Sequence, residues 1–396
     1  MNIHIISIAG TMTTPLALAL IKQGHTITGS DQEKIFSPTS DLLKDINTNK
    51  ELPKNIDLCI VGGSYNKFSN TQKEFQYIHD NHIPYISATN FIANNICQKQ
   101  SILVAGTFGK TSISSLLAWN LVKNKLNPSY FFGGIALDNF PSLTINNSQY
   151  SIIEADESIN GLDNKAKFLH YPVKYLILTS ASWEHKDSYK TYQDNFNAFK
   201  KLIEKIPKDG LLICNQSGEN IKELSKYCLA PIIYYKNNNE DAVKSMCDFL
   251  KIDFYNDFTG IKRRLEIIKN KNNIIIIDDF AQSPERITYA LKTLKEKYKE
   301  YNIKVLFEPH ASFLQHSING LGQALDLASE VVISAINFNK DKSIRITATD
   351  YQKEIGDKFI YLPIKSDIIN HYKNTLKPFD LLVRFSSGGN NICQNI

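Results

Sequence analysis

The chain has 396 residues, of which 42% are hydrophobic, 21% charged and 11% aromatic. Its length exceeds what one hydrophobic core supports, and its composition is that of an ordinary folded protein, so two or three domains are expected and a disordered or collagen-like chain is excluded. The net charge of +5 comes from 45 basic residues interleaved with 40 acidic ones, without a basic arm or tail. This pattern favours small anionic substrates over nucleic acid.

The cysteines and the first residues indicate a compartment. The six cysteines are scattered without a Cys-x-x-Cys pair, a spacing typical of buried free thiols and not of a disulfide framework or a zinc site. Residues 1–6 contain no basic segment or cleavage site of a secretory signal. No run reaches the ~20 apolar residues of a membrane helix. We therefore expect a cytoplasmic protein without a membrane partner. A monomer is expected, although the sequence does not fix the oligomeric state.

The predicted elements begin with a strand, a turn, a helix and a strand, an order that typically opens a nucleotide-binding α/β domain. In the first part of the chain, strands are predicted within 3–9, 26–28, 58–61 and 85–87, with a helix over 16–22. In the second part, strands are predicted at 101–105, 150–153, 175–179 and 211–214, with helices over 111–122 and 194–206. In the third part, strands are predicted at 274–277, 304–308, 331–334 and 381–386, with a helix over 285–298.

Alternation of strands and helices predicts parallel, doubly wound sheets. The fold class is therefore α/β with three doubly wound domains, at residues 1–98, 99–256 and 257–396. The first and third are expected to be Rossmann-like, and the second to carry a phosphate-binding loop.

That loop lies between the strand at 101–105 and the following helix, and reads Gly106-Thr107-Phe108-Gly109-Lys110-Thr111. The N–H groups of such a turn and of a helix N-terminus bind phosphate oxygens. Lys110 would neutralise the β- and γ-phosphates, and the Thr111 hydroxyl would coordinate Mg²⁺. Val104 stands where the general pattern has its first glycine, so the match is to a shorter variant. A plain turn is the alternative.

Acidic residues follow the next predicted strand, in Glu154-Ala155-Asp156-Glu157. In open α/β sheets this end of a strand faces the ligand crevice. Neighbouring carboxylates repel one another unless a cation lies among them, which predicts Mg²⁺ coordination by Glu154. An acidic solvent loop is the alternative. After the following strand, His185 would hold a second metal ion or position a phosphate, the alternative being a surface histidine without a role.

Five motifs in this order resemble those of the Mur ligases, and the resemblance spans essentially the whole chain. They are G-T-F-G-K-T at 106–111, E-A-D-E at 154–157, E-H-K-D at 184–187, K-R-R-L-E at 262–266 and D-D-F-A-Q-S-P at 278–284. Three further stretches, at 27–31, 167–171 and 386–389, resemble the muropeptide-recycling branch of the family. These ligases join UDP-N-acetylmuramate to a tripeptide during peptidoglycan recycling.

The resemblance implies one domain for the UDP-sugar, one for ATP and one for the incoming amino acid or peptide. A substrate carboxylate attacks the γ-phosphate of ATP to give an acyl phosphate, and the amine then displaces phosphate. Lys110, Arg264 and two Mg²⁺ ions would offset the charge on the transferring phosphoryl group.

The resemblance also implies which residues bind the substrates. The metal ligands would be Thr111, Glu154 and His185. The nucleotide-binding residues would be Gly106, Thr107, Gly109, Lys110, Thr111, Asn239 and Asp279, of which Asn239 is what remains of the adenine site and Asp279 contacts the ribose or orients the third domain. The residues of the UDP-sugar site would be Gly10, Thr11, Ser30 and Asp31.

Two departures from the family pattern bear on the substrates. Ser7, Thr13 and Pro15 replace a glycine-containing pattern that lets the backbone approach a pyrophosphate, so weak but real binding of UDP-N-acetylmuramate is expected. Between Cys214 and Asp253 the usual small sheet and adenine-holding motif are missing. Selection of the nucleotide base is therefore expected to weaken.

An active ligase of the recycling type is the leading interpretation. The second is a ligase for another acid and amine, in a folylpolyglutamate-like or poly-γ-glutamate-like reaction, although folylpolyglutamate synthetases lack the pattern of residues 1–98. The third is a catalytically silent binding or scaffold protein, motivated by the missing adenine motif. The motif residues that argue against a silent protein are Lys110, Thr111, Glu154, His185 and Arg264.

Overall fold

The computed structural model describes residues 1–32, 35, 39–48, 52–183, 188–236, 238–309, 318–336, 346–386 and 392–396. The chain divides into two units, Met1–Ile261 and Lys262–Ile396. The first unit contains two sheets and the second contains one.

The first sheet has four parallel strands in the order β2-β1-β3-β4. The strands are β1 (Asn2–Ile6), β2 (Thr26–Ser30), β3 (Leu58–Val61) and β4 (Tyr85–Ser87), and the helices are α1 (Thr13–Lys22), α2 (Thr39–Leu42), α3 (Ser69–Asp80) and α4 (Ala88–Asn95). Strand β1 is buried from Ile3 to Ile6, as expected of a parallel strand covered on both faces. Its neighbours β2 and β3 lie on opposite sides, so the turn after β1 opens at a switch point, where α/β folds bind ligands.

The second sheet has seven strands in the order β11-β10-β9-β5-β8-β6-β7, and only the pair β6–β7 is antiparallel. The strands are β5 (Gln100–Ala105), β6 (Ser129–Phe131), β7 (Leu143–Thr144), β8 (Tyr150–Glu154), β9 (Tyr175–Leu178), β10 (Leu211–Asn215) and β11 (Ile232–Tyr235). The helices are α5 (Lys110–Lys123), α6 (Tyr192–Glu204), α7 (Ile221–Leu224) and α8 (Asn239–Leu250). Strand β5 lies between β8 and β9, which makes its carboxyl end the second switch point of the unit.

The third sheet has six strands in the order β12-β13-β17-β14-β15-β16, with β12–β13 as its antiparallel pair. The strands are β12 (Glu266–Lys271), β13 (Ile274–Asp279), β14 (Asn302–Glu308), β15 (Glu330–Ile333), β16 (Phe359–Tyr361) and β17 (Asp380–Ser386). The helices are α9 (Pro284–Lys297), α10 (Leu321–Ala324), α11 (Ala348–Ile355) and α12 (Lys365–Thr375).

The predicted α/β class is confirmed, and the strands predicted at 58–61 and 85–87 have these limits in the structure. The apolar run predicted as a strand within 3–9 ends earlier, at Ile6, because Ser7 turns the chain. The strands that local pattern did not predict are the short or edge strands β6, β7, β11, β12 and β16. The domain boundaries near 98 and 256 stay a prediction.

Two further expectations concern cysteines and membranes. All six cysteines are free, and four of them are buried. Burial raises the pKa of the Cys97 and Cys247 thiols to about 12, so these side chains behave as small apolar groups. Within the described ranges, no helix has both the length and the apolar character needed to cross a bilayer.

Candidate functional site

The loop at the carboxyl end of β5 has the backbone that a phosphate site needs. Gly106 and Gly109 have φ angles of +122° and +77°, which favour glycine. A side chain at Gly106 would collide with Thr179 and the backbone of Ser180. The Thr179 hydroxyl donates to Phe108 O at 2.6 Å. The segment after β9 thus fixes the loop at the start of α5, where helix N–H groups favour an anion.

Lys110, the first residue of α5, lies back over this loop. Its Nζ donates to Gly106 O at 2.6 Å and to Glu157 Oε2 at 2.7 Å, and Glu157 is 2% exposed. Burial by itself would lower the pKa of Lys110, but the carboxylates of the acidic motif, Glu157 foremost, outweigh it and raise this pKa. The ammonium group therefore stays charged. Glu157 is a residue to which the sequence analysis gave no role.

The structure brings Thr111 and Glu154 together, and their role as metal ligands stays a prediction. Thr111 Oγ1 donates to Glu154 Oε1 at 2.9 Å, and the Gly133 N–H donates to Glu154 Oε2 at 2.6 Å. Hydroxyl and carboxylate oxygens are the hard ligands that Mg²⁺ prefers, so the pair fits this ion. Over the part of the chain that the structure describes, no group of three or more His, Cys, Asp or Glu side chains could hold a metal. Further ligands would come from water and nucleotide phosphates, as is usual for Mg²⁺.

The rest of the acidic motif pairs with a second lysine. Lys167 Nζ donates to Asp156 Oδ2 at 2.8 Å and to Ser158 Oγ at 2.7 Å. Burial by itself would raise the pKa of Asp156, but the ammonium groups of Lys167 and Lys110 hold it well below its usual value. Asp156 is therefore ionised and under the influence of both lysines.

Two other predicted residues of the ATP site have different outcomes. Asn239, the first residue of α8, lies against the phosphate loop, because a Cβ at Gly109 would be 2.6 Å from Asn239 Oδ1. His185 and the rest of the motif at 184–187 lie outside the described residues.

The turn after β1 is closed by its own side chains. Ser7 has a φ of +59°, a left-handed conformation that glycine adopts more readily. Thr13 Oγ1 donates to Ser7 O at 2.6 Å and accepts from the Gly10 N–H at 3.1 Å. Thr14 Oγ1 donates to Ile8 O at 2.8 Å. The hydroxyls of Thr13 and Thr14 therefore bond backbone groups of this turn.

The predicted residues of the UDP-sugar site meet at this edge of the first sheet. Gly10 and the exposed Thr11 follow β1, Ser30 is the last residue of β2, and Asp31 comes directly after it. Asp31 Oδ2 accepts from the Ala9 N–H at 2.8 Å. The Ser30 hydroxyl points inward and donates to Glu74. The role of these four residues in binding a substrate stays a prediction.

In the second unit, Asp279 organises a turn. Its Oδ2 accepts from the Leu265 N–H and its Oδ1 from the Ala281 N–H, both at 2.8 Å. Burial raises the pKa of Asp279. The guanidinium of Arg264 lies 5.8 Å from the centroid of the Phe280 ring. Asp279 therefore shapes the turn that presents Arg264, a local function that the sequence analysis did not foresee.

A buried ionic cluster at the carboxyl edge of the third sheet also went unpredicted. Arg384, 1% exposed, donates from Nε and Nη2 to the two carboxylate oxygens of Glu308 at 2.7 and 3.1 Å. Its Nη1 donates to Asp278 Oδ1 at 3.0 Å, and Arg263 Nε lies 3.3 Å from Asp278 Oδ2. The glycines at 388–389, which follow β17, lie outside the described residues.

Comparison with known families matches this chain to three models in order. They are the Mur ligase family catalytic domain over residues 2–100, the Mur ligase middle domain over 104–278 and the Mur ligase glutamate ligase domain over 263–388.

Similar proteins include two kinds of ligase. UDP-N-acetylmuramate–L-alanine ligase of Dictyoglomus turgidum is 24% identical over 447 residues, covering 98% of this chain and 94% of that protein. UDP-N-acetylmuramate–L-alanyl-γ-D-glutamyl-meso-2,6-diaminoheptandioate ligase of Haemophilus influenzae is 26% identical over 378 residues, covering 80% and 82%.

Solved structures share the fold. The UDP-N-acetylmuramate–alanine ligase of Thermotoga maritima has a TM-score of 0.74 at 21% identity, covering 100% of this chain and 97% of that one. A murein peptide ligase of Psychrobacter arcticus has a TM-score of 0.66 at 24% identity, covering 98% and 96%.

Proposed function

The chain belongs to the Mur ligase family, and from this premise we propose that it uses ATP to join the carboxylate of UDP-N-acetylmuramate to an amine. The observation that carries the proposal is the arrangement at the carboxyl end of β5, where Lys110 lies over a glycine-rich loop beside Thr111 and Glu154. The ligases of Dictyoglomus turgidum and Haemophilus influenzae are both named for this acid.

The chemistry needs two displacements. A carboxylate oxygen attacks the γ-phosphorus, the bond to the β,γ-bridging oxygen breaks, and ADP leaves. The amine then attacks the acyl carbon, a proton is lost, and inorganic phosphate leaves. Negative charge on the phosphoryl oxygens is offset by the Lys110 ammonium and by the loop N–H groups. Mg²⁺, when bound by Thr111 and Glu154, supplies further charge there, with Arg264 and His185 as the other proposed contributors.

Two candidates exist for the amine that the protein uses. A peptide of the recycling kind is favoured by the motifs at 27–31 and 167–171. L-alanine is the second candidate, because the Dictyoglomus relative aligned over 98% of this chain is an L-alanine ligase.

Recognition of the nucleotide is proposed to rest on its phosphates and ribose. Asn239 packs against Gly109, and strand β11 and helix α8 occupy the segment where the family has its adenine motif. GTP is then expected to replace ATP with a penalty below about tenfold, because a lost polar anchor lowers discrimination between bases.

The test is release of phosphate from MgATP with UDP-N-acetylmuramate and either L-alanine or the tripeptide. We expect release to require both the acid and one amine, and Thr13→Gly to strengthen binding of the acid. Release with another acid only would favour the second ligase class. Binding of MgATP without release over a panel of acids and amines would favour the silent protein.

A further inference from the structure

The Lys167 ammonium is held with hydrogen-bonding capacity to spare. It donates to Asp156 Oδ2 at 2.8 Å and to Ser158 Oγ at 2.7 Å. An ammonium group has three N–H donors, so these contacts, made within the described residues, use two of them. The side chain is 18% exposed. A third donor is therefore available at a place that water or a ligand reaches.

The backbone around Lys167 fixes the position of this charge. The Lys167 N–H donates to Ser158 O and the Phe168 N–H to Asp156 O, both at 3.0 Å. Lys205 Nζ donates to Leu169 O at 2.7 Å. These contacts hold Lys167, the first residue of a short 3-10 helix over Lys167–His170, in place. A preorganised donor binds a ligand with little loss of entropy.

Lys167 also lies at the junction of two sheets of the first unit. A Cβ at Gly63, two residues beyond β3, would be 3.7 Å from Lys167 Nζ. The Tyr65 hydroxyl donates to Gly161 O at 3.4 Å, which joins the loop after β3 to the loop that carries Lys167. The ammonium group therefore lies between the carboxyl edge of the first sheet and the acidic motif after β8.

This place lies between the two sites proposed for the acid substrate. Its nucleotide is proposed to lie at the first sheet, and its carboxylate must reach the γ-phosphate bound beside Lys110. Asp156, the partner of Lys167, lies between Glu154 and Glu157 in the sequence. Glu157 is the partner of Lys110. We infer that the Lys167 ammonium binds the carboxylate of the acid substrate and holds it beside the phosphate loop. This inference rests on the proposed function.

The experiment replaces Lys167 by Met and compares two ligands that both contain a pyrophosphate. UDP-N-acetylmuramate has the carboxylate, and UDP-N-acetylglucosamine lacks it. Lys167→Met should weaken binding of UDP-N-acetylmuramate, measured by calorimetry, by about tenfold to a hundredfold, the usual effect of losing a hydrogen bond to a charged group. Binding of UDP-N-acetylglucosamine should stay unchanged.

Two controls accompany this variant. Lys165→Met removes the same charge from an exposed position two residues away and should change neither affinity. Lys167→Arg, which keeps the charge, should recover most of the lost affinity. Because Lys167→Met leaves Asp156 without its cation, the double variant Lys167→Met/Asp156→Asn repeats the measurement without an unpaired carboxylate.

The outcomes separate this inference from the proposed function. Equal loss for both ligands, or no greater loss than in Lys165→Met, overturns the assignment of Lys167 while the ligase proposal stands. If the unmodified protein binds no UDP-N-acetylmuramate, the proposed function fails, and the assignment of Lys167 fails with it.

Discussion

Ion pairs lie at the carboxyl edges of two sheets, one in each unit. The two sets differ in whether their cations can still reach a ligand. In the first unit, Lys110 and Lys167 pair with Glu157 and Asp156 through single ammonium groups that are 12% and 18% exposed. In the second unit, Arg384 is 1% exposed and spreads its guanidinium over Glu308 and Asp278.

The difference follows from the two kinds of cation. An ammonium group is a compact charge on a flexible stem, so it bonds one carboxylate and still turns a donor toward solvent. A guanidinium binds carboxylates through a planar fork, which suits buried pairs. Burial raises the pKa of Asp278 although Arg384 and Arg263 act in the opposite direction. Ion pairs of the first unit therefore leave donors that could serve the proposed binding site, whereas those of the second unit are buried and hold three strands together.

Removal of the Lys110 ammonium should have the largest effect. Lys110→Ala is expected to lower turnover by at least about 10²–10³-fold, the effect of losing one group that stabilises transition-state charge. Burial of the unpaired Glu157 should also lower the free energy of unfolding by about 3–5 kcal/mol. Phosphate release and urea unfolding measure the two effects.

Two further variants separate catalysis from stability in this experiment. Lys110→Ala/Glu157→Gln should recover stability without recovering turnover. Lys123→Ala, at the exposed end of the same helix, should be nearly neutral in both measurements. Normal turnover in Lys110→Ala would show that the loop does not bind the transferring phosphate.

Arg384→Met should affect stability first, lowering the free energy of unfolding by about 3–5 kcal/mol because Glu308 and Asp278 lose their buried cation. The triple variant with Glu308→Gln and Asp278→Asn should regain much of this stability, as measured by urea unfolding. An unchanged unfolding curve for Arg384→Met would show that the Arg384 cluster does not stabilise the second unit, and the proposed difference between the two units would fail.

Replacement of a proposed metal ligand should have a smaller effect. Glu154→Gln is expected to raise the Mg²⁺ concentration for half-maximal phosphate release by about tenfold or more, and His185→Ala should act in the same direction. Glu204→Gln, an exposed change at the end of α6, is the control. A metal titration identical to that of the unmodified protein would exclude Glu154 as a ligand.

The smallest effect is a difference in pH dependence. The fold lowers the pKa of Asp156. This carboxylate therefore stabilises the protein at pH values above the usual Asp pKa of about 3.9, and the stabilisation is lost as the pH falls below that value. The pKa of Asp279 is raised, so acidification instead relieves its cost. Between pH 7 and pH 3, Asp156→Asn should flatten the acid loss of stability and Asp279→Asn should steepen it. Equal slopes in urea unfolding would contradict the comparison.

The fold was largely predictable because its central strands are continuous apolar runs. Strands β3 and β5 stand out as runs between turn signals, which local pattern identifies well. Strand β12, by contrast, mixes polar and apolar residues in Glu266–Lys271, and such an edge strand is defined by its pairing with β13. Edge pairing depends on tertiary contacts that a local pattern does not contain.

The candidate site was predictable to the extent that it is contiguous in sequence. The loop residues Gly106–Thr111 could be recognised together, and Glu154 followed from its place after a strand. The partner of Lys110 is a buried carboxylate 47 residues away, and nothing local distinguishes Glu157 from its acidic neighbours. The hydrogen bond from Ser30 to Glu74 could not be predicted for the same reason, because the two residues are far apart in the sequence.

Arg384 has a further consequence, for the order of folding events. Its partners Glu308 and Asp278 are 76 and 106 residues away in the chain, and β17 pairs with both β13 and β14 in one register. A shift of one residue would turn the guanidinium to the other face of the sheet. The guanidinium should therefore stay hydrated until β13 and β14 have both paired with β17. Desolvation of Arg384 is then expected to be a late and slow step in folding of the second unit, and one that requires the correct register.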